Sequence, residues 1–189
     1  MDGRALDGTQ ASFDHFVRAS TDQLLGTGYL IVWDLYTAQD LVQETLVRVA
    51  LRWGRVSRME HPSAYARRVL VNLALDHQRR RARSKEDLGP LSDDGTIDLV
   101  AAGDPFGQVE DREVLLLVLA RLPIRQRTTL VLRFWADLPD AEIAFAMGCS
   151  IGSVKSQASR GLDRLRDMFG PQDNEMKGDS ALWISLATS

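Results

Sequence analysis

LPIRQRTTLVLRFWADLPDAEIAFAMGCSIGSVKSQASRGLDRLR, residues Leu122 to Arg166, is the stretch on which the reading of the fold turns. It predicts a helix, a short helix, a tight turn and a second helix with a polar, basic outer face. Glu142-Ile143-Ala144 opens the short helix and Gly148-Cys149-Ser150 supplies the turn. Ile151 begins the last helix, with Ser150 placed to cap it, since a serine oxygen can accept a free backbone N–H of the first turn. This order of elements is that of a helix-turn-helix, whose second helix enters a DNA major groove.

In that last helix Ile151, Val154, Ala158, Leu162 and Leu165 recur at helical spacing and form one apolar stripe expected to face the rest of the domain. Lys155, Ser156, Ser159 and Arg160 fall outside it. Short hydroxyls and cations near a helix N-terminus suit close approach to phosphates and base edges. A solvated surface helix has the same pattern; the preceding Glu-Ile-Ala helix and the Gly-centred turn favour DNA.

Charge sets a puzzle beside this. The chain has 189 residues, 44% of them hydrophobic, as a folded globular protein does, and a formal net charge of −3. That balance is unusual for a protein that grips DNA unaided, because phosphate contacts dominate affinity. The charges are unevenly placed. Between Ala64 and Lys85, seven basic residues stand against one acidic, and between Glu86 and Glu113 nine acidic stand against one basic. An acidic connector between two basic readers weakens independent binding and points to a protein that meets DNA inside a larger assembly.

The connector also marks a boundary. Gly89-Pro90-Leu91-Ser92-Asp93-Asp94-Gly95 and Gly103-Asp104-Pro105 are turn and breaker clusters. The expected organisation is an arm (1–12), a helical domain (13–85), an acidic flexible linker (86–108), a second helical domain (109–170) and a tail (171–189). No strand-like alternation or internal repeat stands out, so the expected class is all-α, with two small helical domains. A signal peptide or a bilayer-length apolar run is not found, which predicts a cytosolic chain without membrane insertion. Cys149 is the one cysteine and has no internal disulfide partner.

The N-terminal block carries two surfaces. In Asp40-Leu41-Val42-Gln43-Glu44-Thr45-Leu46, the residues Leu41, Thr45 and Leu46 are expected to pack inward with Val49, while Asp40, Gln43 and Glu44 share another face. On a helix running from Ser63, Tyr65, Arg68, Asn72, Asp76, Arg79 and Arg83 form one stripe beside the apolar Ala66, Val69, Leu70 and Leu73. Cations, an aromatic ring and an amide on one face suit nucleic acid, single strands included.

These residues resemble the bacterial extracytoplasmic-function sigma factors, small specificity subunits of RNA polymerase, over about Phe13 to Phe169. Thr37 to Thr45 is similar to the helix that docks on the polymerase clamp. Pro62 to Asn72 with Asp76 to Arg81 is similar to the −10 recognition helix, and Leu122 to Arg166, with Gly152-Ser153-Val154-Lys155-Ser156, to the −35-binding domain. The wording around Val69 to Ala74 and Val154 to Arg160 most resembles an actinobacterial, SigE-like branch. The resemblance implies a non-catalytic role: binding core polymerase, recognising −10 and −35 elements and promoting DNA opening. It implies core contacts (β′ clamp) from Asp40, Gln43 and Glu44, and −10 contacts from Tyr65, Arg68, Asn72 and Arg79, with the preceding loop Val56 to His61. It implies −35 contacts from Lys155, Ser156, Ser159 and Arg160, with Arg160 suited to a bidentate bond to guanine. The implied partners are core RNA polymerase (clamp and β flap) and promoter DNA, with an anti-sigma factor as a partner the family allows. The location implied is the cytoplasm, nucleoid-associated in holoenzyme, with the acidic linker threading basic channels of the core.

Some positions depart from the family pattern. Pro139 stands where a capping Ser is usual, Ser153 replaces the usual Thr, and Tyr65 stands where many members have Trp. A catalytic or cofactor-dependent reading has little to hold on to. His15, His61 and His77 are scattered and lack metal-ligand spacing, GCSIGSVKS lacks the phosphate-loop spacing, and Asp93-Asp94-Gly95 lacks the remaining ligands of a calcium loop. The alternatives are a response-regulator-type activator, which calls for an α/β domain, and a pure interaction adaptor, which the basic stripe disfavours. In the tail, Ala181-Leu182-Trp183-Ile184-Ser185-Leu186 gathers apolar residues, as either a frayed terminus or a segment that docks on a domain or partner.

Overall fold

The computed structural model describes residues 3–87 and 118–169. The first two residues of the expected linker, Glu86 and Asp87, continue α4; the rest of it, the start of the second domain and the tail with Trp183 lie outside the described residues. The described elements are all helical: α1 (Gly3–Val32), α2 (Leu35–Ala50), α3 (Trp53–Val56), α4 (Pro62–Asp87), α5 (Ile124–Leu130), a π-helical turn (Val131–Trp135), α6 (Asp140–Met147) and α7 (Ile151–Phe169). None of these helices is long and apolar enough to cross a membrane.

α1 begins at Gly3 and runs unbroken past residue 13, where an arm was expected to give way to the domain. It ends at Trp33, whose φ of 60° turns the chain sharply. Asp34 then starts α2 by accepting the Thr37 backbone N–H at 2.6 Å. That hydrogen bond holds the Asp34 carboxyl below its ordinary range. Pro62 opens α4, at the one helical position where a missing N–H costs nothing.

α1, α2 and α4 pack together because each has an apolar stripe. Ala38, Leu41, Val42, Thr45 and Val49 are buried on α2, with Leu46 half-buried beside them. Ala66, Leu70, Val71, Leu73, Ala74 and Leu75 are buried on α4. Phe13 and Phe16 close over Trp53 with ring centroids 5.2 and 5.0 Å away, and the Trp53 Nε1–H donates to Ser12 Oγ at 2.9 Å.

In the C-terminal half, α5 relaxes into the π turn, where the Ala136 N–H reaches back to the Val131 carbonyl at 3.1 Å. α6 ends at Gly148, whose φ of 61° suits glycine. The Cys149 N–H bonds the Ala144 carbonyl at 3.0 Å and the Gly148 N–H the Phe145 carbonyl at 3.4 Å, the paired bonds of a Schellman stop. α7 crosses α5 closely at Gly161, where a Cβ would lie 3.0 Å from Leu130 Cδ1.

The two halves are not separate bodies here. One apolar cluster runs from Leu24, Ile31 and Leu70 to Val131, Leu132, Ile143, Met147 and Val154. A smaller one gathers Leu119, Leu122, Leu130, Ala158 and Leu165, and Trp33 packs against both.

Candidate nucleic-acid interface

Three surfaces emerge from this packing. The first is the N-terminal turn of α7. Ser150 Oγ accepts the Ser153 N–H at 3.1 Å and lies 2.9 Å from Ser153 Oγ, which fixes the helix start expected from the sequence. Val154, Ala158 and Leu165 are buried, so the remaining face is turned outward, with Lys155, Ser159 and Arg160 exposed. Ser156 is half-buried and donates to the Ser153 carbonyl at 3.0 Å, and Ser159 lies 3.5 Å from Asp163. Ile151 corrects the expected stripe. It is 46% exposed at the first position of the helix, while Val154, three residues on, is fully buried. This leaves an exposed apolar side chain beside Gly152 at the start of α7.

Pro139 precedes α6 without a side-chain cap. Its carbonyl accepts the Glu142 and Ile143 N–H groups at 2.9 and 3.1 Å. Asp140 and Glu142 lie in the first turn, where negative charge favours the helix dipole, and Asp140 also pairs with Arg133.

The second surface is on α4. Asn72 is exposed, and the Tyr65 hydroxyl accepts from Arg52 Nη1 at 3.1 Å. Arg68 is half-buried, its guanidinium 4.4 Å from the centroid of the Phe145 ring on α6. Beside it Arg67, with 11% of its side chain exposed, meets Glu142 at 3.4 Å. Burial pushes the Arg67 guanidinium below its ordinary range, against the opposing pull of Glu142. Arg79 pairs with Asp76 on its own helix. Of the loop before α4, Val56 belongs to the core at 1% exposure, while Ser57, Arg58, Glu60 and His61 are exposed.

The third surface is on α2, where Asp40, Gln43 and Glu44 are exposed together. Glu44 pairs with Arg48 at 2.5 Å. Tyr36, Val47 and Leu51, exposed by 69, 58 and 82%, extend this face with apolar surface that the sequence reading missed. They lie at i, i+4, i+7, i+11 and i+15 with Asp40 and Gln43, a spacing that could have found them. Between α2 and α4 lies a cleft of about 330 Å³ lined by Glu44, Arg48, Leu73, Asp76, Arg79, Arg80 and Arg83. Arg79, expected beside Tyr65 and Asn72, therefore shares a cleft with Glu44.

Comparison with known proteins places these surfaces in a family. Residues 16–84 match the family described as Sigma-70 region 2, and residues 112–165 the family described as Sigma-70, region 4. A curated relative, the RNA polymerase sigma-E factor of Streptomyces avermitilis, is 34% identical over 166 residues, covering 88% of this chain and 89% of that one. The ECF RNA polymerase sigma factor SigE of Mycolicibacterium smegmatis is 31% identical, covering 87% of this chain and 64% of the relative. In fold, the chain resembles the sigma factor RpoE of Bartonella quintana, solved in complex with the anti-sigma factor NepR. The TM-score is 0.64 at 24% identity, covering 84% of this chain and 96% of that one.

Proposed function

The chain belongs to the RNA polymerase sigma factors, in their extracytoplasmic-function class, and from that premise we propose which of its surfaces does what. As a sigma factor it is a promoter-specificity subunit, acting with core polymerase on promoter DNA. The α2 face, Asp40, Gln43 and Glu44 with the apolar Tyr36, Val47 and Leu51, docks on the β′ clamp. The mixture suits a stable protein interface, where apolar contact supplies affinity and rim charges set register.

The α4 face reads the −10 element. Asn72 offers a donor and an acceptor to the hydrogen-bonding edge of a base, and Tyr65 a ring for stacking. Holding a base out of the duplex stack favours strand opening. The α7 turn reads the −35 element in the major groove: Arg160 bonds a guanine edge, Lys155 and Ser159 steer on phosphate, and Ile151 meets a thymine methyl. The C-terminal domain also touches the β flap, and an anti-sigma factor is a further partner.

The observation supporting this most is that two outward helix faces with base-reading side chains lie on different domains of a chain that is acidic overall. Its low net charge gives poor affinity for duplex DNA without a partner. The test is promoter opening by purified chain with and without core polymerase. Opening with core only is the expected result; tight sequence-specific duplex binding by the chain alone at physiological salt would overturn it in favour of an operator-binding activator.

A further inference from the structure

The Tyr65 ring, the proposed stacking platform of α4, is tethered at its hydroxyl end. Arg52 Nη1 donates to that hydroxyl at 3.1 Å, across a sequence separation of 13. Arg52 itself is firmly placed between α2 and α3. Its N–H bonds the Val49 carbonyl at 3.0 Å, and its carbonyl accepts the Arg55 and Val56 N–H groups, both at 2.9 Å. The next residue, Trp53, is buried against Phe13 and Phe16. None of the ion pairs among the described residues includes Arg52. Tyr65 lies in the first turn of α4, half-buried, its ring packed on the larger apolar cluster. The bond thus closes a ring of chain that contains α3 and the loop from Ser57 to His61.

We propose that Arg52 is a positioning residue for −10 recognition: it sets the Tyr65 ring in the path of the promoter strand and leaves the phenolic O–H as the group that donates to DNA. The inference rests on the proposed −10 role of the α4 face.

The chemistry follows from what each group can donate. A guanidinium has donors only, so the hydroxyl must accept from it and keeps its own hydrogen free. A charged donor on the phenol oxygen makes that O–H a better donor to a phosphate oxygen or a base edge. In the free chain the pair is exposed and the bond competes with water, so it adds little to stability. A base laid on the ring shields the pair from solvent, and the bond strengthens in that state. Arg52, Arg55 and Arg58 are exposed here against the carboxylate of Glu60, which makes this edge positive, as suits a strand.

The test uses holoenzyme reconstituted at equal occupancy with each variant. Its probe is the −10 strand of a promoter that the wild-type holoenzyme opens, carrying a fluorescent purine analogue at successive positions. Strand affinity and quenching of the analogue by a stacked ring are read together. Tyr65→Ala should lose about tenfold in affinity and the quenching at one position. Arg52→Ala and Tyr65→Phe should each lose about fivefold with partial quenching, and the double variant also about fivefold, because both remove the same bond. Tyr65→Trp, whose indole offers a donor and no acceptor, should make Arg52→Ala silent in its background. Thermal unfolding of free Arg52→Ala should match the wild type. An equal loss from Arg52→Ala with Tyr65 present and in the Tyr65→Phe background would overturn the inference and leave Arg52 as a separate phosphate contact. No loss from Arg52→Ala while Tyr65→Ala is impaired would overturn it too. A silent Tyr65→Ala would sink the −10 role of the ring and the inference together, a result no Arg52 variant can mimic.

Discussion

Replacing Arg127 by methionine should make the folded protein more stable, although it deletes a buried, hydrogen-bonded side chain. Arg127 is 7% exposed, donates to the Ala120 carbonyl at 3.1 Å and sits 6.0 Å from the Trp33 ring centroid. Its Nε has no hydrogen-bond partner among the described residues. Burial pushes the guanidinium down from its ordinary range to about 10, which corresponds to roughly 3 kcal/mol opposing folding at neutral pH. The hydrogen bond from a charged donor returns about 1.5–3 kcal/mol. Methionine fills much of the same volume without the desolvation, so a net gain of about 1 kcal/mol is expected. For a chain of this size that raises Tm by about 2–4 °C. A cation whose folded pKa lies below its unfolded value opposes folding wherever it is charged. The wild type should therefore gain on the variant as pH rises through about 10, and thermal unfolding at pH 7, 9 and 10.5 reads both effects. A variant that melts lower than the wild type at pH 7 would refute the reasoning and make the guanidinium a net stabiliser.

Other substitutions test the remaining elements. Asp34→Ala removes the cap of α2 and should cost about 1 kcal/mol in denaturant unfolding at pH 7. Because the folded Asp34 pKa is depressed, that stabilisation is present above its unfolded value of 3.8 and lost as pH falls through the folded value, so the two proteins should converge in acid. Gly161→Ala adds helix propensity worth about 1 kcal/mol but sets a methyl against the fully buried Leu130. A net loss of about 1 kcal/mol is expected, and a rise in Tm would show that Leu130 can yield. Arg160→Ala should cost about 1–3 kcal/mol at one −35 base pair and relax preference there, read by competition among single-base promoter variants with holoenzyme. Asn72→Ala should leave that preference intact while impairing strand opening, followed by permanganate reactivity; a uniform loss on every promoter for either variant would deny it a reading role.

The helix-turn-helix could be read before any coordinates, because its signals are local. Ser150 caps, Gly148 takes the left-handed turn, and Val154, Ala158 and Leu165 repeat at one helical face. The α2 and α4 stripes were legible for the same reason. Periodicity reports that a face is covered, however, and not by what. It placed Ile151 inward, although that side chain is about half exposed. It could not pair Arg67 with Glu142, 75 residues away, or anticipate that Gln126, Arg127, Thr128 and Thr129 would be buried in a run that looks polar. Those burials follow from packing against Ala120, Met147, Gly161 and Trp33, tertiary events with no short-range signature.

Trp33 gives this junction an optical consequence. Its left-handed backbone and the packing of its ring against both apolar clusters put one indole where the two halves meet. Its Nε1 is buried without a hydrogen-bond partner among the described residues, so parting the halves would hydrate that N–H and change the polarity around the ring. Trp53, by contrast, stays among Phe13 and Phe16 of a single half. Intrinsic emission from a chain retaining Trp33 as its one tryptophan should therefore shift to the red as denaturant loosens the junction, an unlabelled report on that packing built into the sequence.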